Sequence, residues 1–425
     1  MVAIPRQRPR PEPAPAAPAV PAPPVAEPAA PLAAPAAAPS KEEVRRHNLG
    51  ALLRHVHVHG ATSRAELTHS LGLNRSTIGA LAADLAAAGL VSEQSPGETT
   101  GEVRRAGRPS LIVRPLPARV YAYALAVDAD RLRAARVGLG GVLLDARTTE
   151  RPPGMALLDA VGPLAGLVRE LTPGVPAGAR CVGGGVAVAH AAAGVAAPDD
   201  AVEAALADAL PGARPLATGA TADLAALAEH VRGAATGCAN IVYLHGDTAG
   251  AGGGIGGGII AGGRRVTGHG GHGGEAGHMV VHPRGLPCAC GSRGCWQTEI
   301  GAAALLRGTG APSAGAVLEA AARGDEAAAA AVRRVADWLG FGVANLVNIV
   351  NPEAVVFGGT LLDVYAAAPD RVRAKLDAMA LPVCREHVRL RPAVLGDDAP
   401  LLGAAELAFE RLLADPLGEP VAGVA

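Results

Sequence analysis

Cys288, Cys290 and Cys295 fall within eight residues of a chain that has only six cysteines. Thiols at that density, spaced C-x-C-x₄-C, point to a metal rather than to a disulfide scaffold or a C-x-x-C redox pair. A structural Zn²⁺ takes four ligands, so three sulfurs call for one nitrogen. His278 and His282 are the nearest upstream candidates, and Gly291 and Gly294 let the loop turn tightly around an ion. Cys181, Cys238 and Cys384 stand alone and read as small core residues.

A second set of residues has the chemistry of nucleic-acid recognition. Arg75, Ser76 and Thr77 follow Asn74 at the start of an apolar-periodic stretch, 74–89. At a helix N-terminus such side chains reach base edges, and the helix end favours phosphate. Arg104, Arg105 and Arg108 lie in a Gly-rich loop between two short strand-like runs, "VSEQ" and "SLIVRP". They are placed to contact phosphate or the minor groove.

These residues need elements to hold them. "EEVRRHNLGALLRHVHVHG" has helical apolar spacing and ends at Gly60. "TSRAELTHSLGL" carries Ser63 as N-cap, with Glu66 three positions on, and ends at Gly72. With Asn74 capping the next helix, the order is helix, short helix, turn, helix, wing: a winged helix-turn-helix over 41–114. From Arg119 onward strands and helices alternate, which predicts a layered α/β body over 119–425. "RVYAYALAVDA" and "LRAARVGLGGVLLDAR" read there as a hairpin. Residues 1–40 hold 13 of the 35 prolines, interleaved with Ala, and read as a disordered tail.

Composition narrows the class. The 425 residues carry a net charge of −1, so the whole surface is not that of a polycation-driven binder. The balance is uneven: residues 1–114 sum to +4 and the remainder to −5. A mildly basic head on an acidic body suits a double-stranded DNA partner. No run of 18 apolar residues suggests a membrane span, and prolines break up the N-terminal segment where a signal-peptide core would lie. A cytoplasmic location is expected.

The stretch "GGEAGHMVVHPRGLPCACGSRGCWQTE" resembles the signature of the ROK family (repressors, open reading frames and sugar kinases). The helix-turn-helix, "NLVNIVNPEAVVFGG" and "GAAELAF" look like further parts of ROK repressors, so the resemblance runs across 41–425. It implies an actin-like (ribonuclease H-like) two-lobed α/β sugar-kinase fold, preceded by the α+β winged helix. It implies one structural Zn²⁺ bound by His278, Cys288, Cys290 and Cys295, in a loop over 278–295. It also implies sugar contacts from Glu275 and His278. A third contact is a Glu in the family, and here the position holds Gln297, with Glu299 nearby.

The resemblance also sets requirements for phosphoryl transfer. Family kinases have an Asp-x-Gly-Gly-Thr turn, where this chain reads "VDADRLRAARV". They have an Asn-Asp pair ahead of an "ALAEH"-like helix, the Asp serving as general base. Aligning on that helix puts Ala220 and Thr221 there; Asp223, two residues on, would lie on another helix face. The Gly-rich run "GDTAGAGGGIGGGIIAGG" is longer than the family pattern. The expectation is therefore no enzyme but a DNA-binding regulator, a repressor. It would bind an operator as a dimer or tetramer and sense a sugar. The alternative is a glucokinase-like, ATP-dependent sugar kinase with an accessory DNA-binding head. A zinc-stabilised scaffold ranks third.

Overall fold

The computed structural model describes residues 40–95, 110–189, 200–247 and 254–418. The Pro/Ala-rich segment 1–39, Arg104, Arg105, Arg108 and the middle of the Gly-rich run (248–253) lie outside the described residues.

The head is built by cap chemistry. Helix α1 (Lys41–His59) gives way to strand β1 (Thr62–Ser63), helix α2 (Arg64–Leu71) and helix α3 (Arg75–Ala87). Ser63 Oγ accepts from the Glu66 amide at 3.1 Å, and Gly72 closes α2 in the left-handed region. Asn74 Oδ1 accepts from the Thr77 amide at 2.8 Å and starts α3. Each cap satisfies an amide that the helix itself cannot. Strands β2 (Val91–Gln94) and β3 (Ile112–Pro115) pair antiparallel, and β3 also pairs with β1. The expected helices and the two wing strands are present in the expected order, and the wing loop, 96–109, lies outside the described residues.

Two five-stranded sheets follow. The first uses β4 (Val120–Val127), β5 (Arg131–Gly138), β6 (Val142–Glu150), β7 (Arg180–Val188) and β8 (Leu216–Ala220), with helices α4 (Val161–Leu171) and α5 (Asp200–Ala209) between its strands. Helix α6 (Thr221–Arg232) leads to the second sheet. That sheet has β9 (Ile241–Gly246), β10 (Ile255–Ala261) and β11 (Arg264–Arg265). After α7 (Gln297–Ile300), α8 (Ala302–Leu306), α9 (Ala314–Ala322) and α10 (Glu326–Val350) comes β12 (Ala354–Gly359). Helices α11 (Thr360–Ala367), α12 (Pro369–Met379) and α13 (Pro382–Arg385) precede β13 (Arg389–Pro392), and α14 (Ala399–Ala414) ends the described chain.

The strand orders are β6-β5-β4-β7-β8 and β11-β10-β9-β12-β13, one topology used twice. In each, the first strand is central, the next two pair antiparallel and the last two parallel. This is the actin-like sugar-kinase fold. The expected hairpin after Arg119 is a three-stranded meander, because the Gly140–Gly141 turn (φ +98° and +73°) starts a third strand.

Residues from Glu42 onward form one compact unit. The apolar stripe of α1 (Leu49, Leu52, Leu53, Val56) packs with Leu67, Ile78 and Leu85 of the head. In the same buried cluster lie Val120, Leu139, Phe409 and Leu412 of the body. The head and the first sheet share this core.

Candidate metal centre and nucleic-acid interface

The cysteine loop is a narrow, self-bonded hairpin. The amides of Val281 and His282 both donate to Gly294 O, at 3.0 and 3.1 Å, and the Cys288 amide donates to Ser292 O at 2.8 Å. Gly294 has φ +66°, and any side chain there would collide with His282 O. The loop is anchored by Trp296, which is fully buried and donates from Nε1 to the Trp338 carbonyl on α10 at 2.8 Å. Trp296→Ala is expected to cost about 3–5 kcal/mol of unfolding free energy, read by urea denaturation, since it empties an aromatic site in a close-packed core.

This hairpin brings His278, Cys288, Cys290 and Cys295 together, with one ligand atom of each within 4.8 Å of the others. Cys290 Sγ lies 3.6 Å from Cys295 Sγ, and Cys288 Sγ lies 3.8 Å from His278 Nδ1. A tetrahedron with Zn–S of ~2.3 Å has edges of ~3.8 Å, so the donor set fits a closed zinc site. The Cys288 and Cys295 thiols differ in acidity. Burial raises Cys288, but hydrogen bonds from Cys290, Cys295 and Gln297 outweigh it and bring it down to about 7. Burial and the neighbouring Cys290 and Cys288 push Cys295 up to about 12. Ionising all three together needs a cation beside them.

The other expected site residues divide around this centre. Glu275 Oε2 lies 4.0 Å from His278 Nε2, so the ring nitrogen turned away from Cys288 faces the carboxylate. Gln297 turns inward: its Nε2 donates to Cys288 Sγ at 3.1 Å, and its Oε1 accepts from the Ile255 amide at 3.4 Å. His282 is outside the donor set. It stacks on Trp338 and contacts Glu299 Oε1 at 3.3 Å. Glu299 is buried, and Arg307 also reaches it. Sequence reading missed Trp338, whose only signal was its place in the α10 pattern.

The kinase positions have their own geometry. The β4–β5 turn is only Asp128–Ala129–Asp130, closed by the Asp128 amide donating to Arg131 O. Asp128 accepts from Arg133 Nε at 2.8 Å and Arg131 Nε at 3.3 Å, while Arg131 Nη2 also reaches Asp397 at 2.9 Å. Thr221 and Asp223 sit in the first turn of α6. Asp223 is buried and accepts from Arg265 Nη1 at 2.6 Å; burial raises its pKa and Arg265 opposes the rise.

In the head, Asn74, Arg75 and Ser76 are exposed at the start of α3 and Thr77 is half-buried. Asn74 is engaged as the cap, and Ser76 Oγ donates to Asn74 Oδ1 at 2.7 Å. Arg64 pairs with Glu93 of β2 and ties α2 to the wing. Among the described residues, no helix is long and apolar enough to cross a membrane.

The profile of the ROK family matches residues 203–411. A glucokinase of Halalkalibacterium halodurans is 34% identical over 206 residues, 44% of this chain and 61% of that enzyme. A xylose repressor of Bacillus spizizenii is 30% identical over 196 residues, 45% of this chain and 50% of the repressor. The chain thus spans between half and two thirds of the length of these relatives. A solved ROK family transcriptional regulator, a homologue of the E. coli MLC protein, superposes with a TM-score of 0.69. That match covers 88% of this chain and 97% of the regulator at 20% identity, a likeness of fold. With the family profile, the doubled sheet topology and the His/Cys₃ loop in agreement, residues 203–411 form a ROK family domain.

Proposed function

We propose that this protein is a DNA-binding transcriptional regulator, a repressor, whose ROK domain senses a sugar and does not phosphorylate it. The observation that carries this reading is the head: a capped helix-turn-helix presenting exposed Arg75 at the start of α3, with a wing strand pair beside it. Arg75 is the side chain of that turn available to read a base, because Asn74 and Ser76 bond to each other and to the helix start. Arg104, Arg105 and Arg108 would add phosphate contacts from the wing. A two-fold oligomer, dimer or tetramer, would match an inverted-repeat operator.

In the ROK domain, Zn²⁺ held by His278, Cys288, Cys290 and Cys295 would stiffen the loop; with four protein ligands it leaves no open position for water. Glu275 and the second ring nitrogen of His278 would meet sugar hydroxyls, and Gln297 would act mainly through Cys288. The test of the head is Arg75→Ala. Affinity for a duplex selected by the wild-type chain should fall by about 1–3 kcal/mol, with affinity for unrelated DNA little changed, if Arg75 reads a guanine. Equal losses on both duplexes would make Arg75 a phosphate contact. No loss on either would move recognition elsewhere.

A second reading, a sugar kinase with a DNA-binding head, draws on the glucokinase relative and on Asp223. That buried carboxylate sits in the first turn of α6, with its pKa raised by burial.

A further inference from the structure

His57, near the end of α1, is 1% exposed, and its ring is held by three elements of the body. Its Nδ1 accepts from the Gly140 amide in the β5–β6 turn at 2.9 Å. Its Nε2 lies 2.9 Å from Glu406 Oε2 on α14 and 2.6 Å from Arg232 Nη2 at the end of α6. Arg232 completes the cluster. Its Nε donates to Glu406 Oε1 at 2.6 Å, and its Nη1 donates to His57 O at 3.0 Å and Gly140 O at 2.8 Å. The chain makes room for this guanidinium with Gly141, where any side chain would run into it. Burial works against the Glu406 carboxylate, but His57 and Arg232 beside it hold it below the ordinary range.

The ring cannot satisfy all its neighbours. With Nδ1 accepting from Gly140, the ring proton sits on Nε2. It then suits Glu406 but faces Arg232, another donor. With the proton on Nδ1, Nε2 can accept from Arg232, but two donors meet at Gly140. That second tautomer also leaves a bare Nε2 facing the Glu406 carboxylate, so the Nε2–H form satisfies more of the ring's neighbours and only the Arg232 contact is left in conflict.

Helix α6 links this cluster to the sugar-side loop. Its 12 residues span about 18 Å. At its start, Ala222 packs against Gly256 of β10 so closely that a methyl on Gly256 would stand 2.6 Å from the Ala222 Cβ. The next residue of β10, Gly257, lies against Gly274, immediately before Glu275. At its end, Arg232 holds His57.

We propose that α6 couples the Glu275–His278 side of the ROK domain to the DNA-binding head. In this scheme Arg232, Glu406 and His57 are positioning residues that hold α1 against the body. A displacement of β10 would be carried along a rigid helix to this clamp on α1. The inference rests on the regulator reading for what the head does, but the coupling can be read without DNA.

The experiment is amide hydrogen exchange on the full chain, following α1 against α10, in Arg232→Lys, Gly256→Ala and the double variant. Lys keeps the charge but cannot make the forked contacts. Arg232→Lys should speed exchange in α1 about tenfold and leave α10 unchanged. Gly256→Ala should change α1 exchange about threefold in the parent, and should have no further effect once Arg232 is replaced. If Gly256→Ala does not fold, Ala222→Gly perturbs the same contact from the helix side. Unchanged α1 exchange in Arg232→Lys, or a Gly256→Ala effect that persists undiminished in the double variant, would overturn the coupling. Exchange as expected in a chain that selects no duplex from a random pool would instead overturn the regulator reading and leave the coupling standing.

Discussion

Cys290→Ser is expected to strip the protein of bound metal, from about one zinc per chain to almost none by elemental analysis. Cys290 is the informative choice because it is exposed, whereas Cys288 and Cys295 are buried. Its replacement opens no core cavity, so any loss of stability reports the lost ion. Where free zinc stands near 1,000 times its dissociation constant, the wild-type chain gains about 4 kcal/mol from binding, and the variant should lose most of that. A chelator should lower the melting temperature of the wild type and leave that of Cys290→Ser unmoved. The two histidines are separated the same way. His278→Ala should lose zinc, while His282→Ala should keep it, because His282 is engaged with Trp338 and Glu299 instead. Zinc retained in His278→Ala and lost in His282→Ala would assign the fourth ligand to the other histidine.

Coupled assays with ATP, Mg²⁺ and a panel of hexoses and N-acetylhexosamines should give no turnover approaching ~1 s⁻¹, the low end of the ordinary enzyme range. Phosphoryl transfer is mostly positioning and charge stabilisation. Here the Asp128 carboxylate is taken up by Arg131 and Arg133, in a three-residue turn with no glycine to cradle phosphate. Asp223, the carboxylate nearest the expected base position, is paired with Arg265. Turnover at that rate, abolished by Asp223→Asn, would make Asp223 the base and establish the kinase reading.

The local chemistry of this protein was legible in its sequence. Ser63, Asn74 and Gly72 act as caps within a few residues of where they stand, so their types alone announced the head. The cysteine spacing announced a His/Cys₃ cluster able to hold an ion for the same reason: its four side chains lie within 18 residues of one another. What stayed hidden depends on distant pairs. His57 and Glu406 are 349 positions apart, and neither belongs to a spacing pattern. The core shared by α1 and α14 was equally invisible, since each helix carries an ordinary apolar stripe that does not name its partner. The resemblance placed Gln297 where a sugar-contacting Glu is expected. Only the fold shows its amide turned toward Cys288. The extra strand β6 was missed because the Gly140–Gly141 turn was read as the interior of one run.

The most direct test of the account is an equilibrium titration of the intact chain against the best duplex recovered by selection from random DNA, with a scrambled duplex of the same length and salt as reference. Affinity for the selected duplex should be at least ~10³-fold tighter, the lower range for specific regulators at physiological salt. Equal affinity for the two duplexes, or no enrichment of any sequence in the selection, would contradict it.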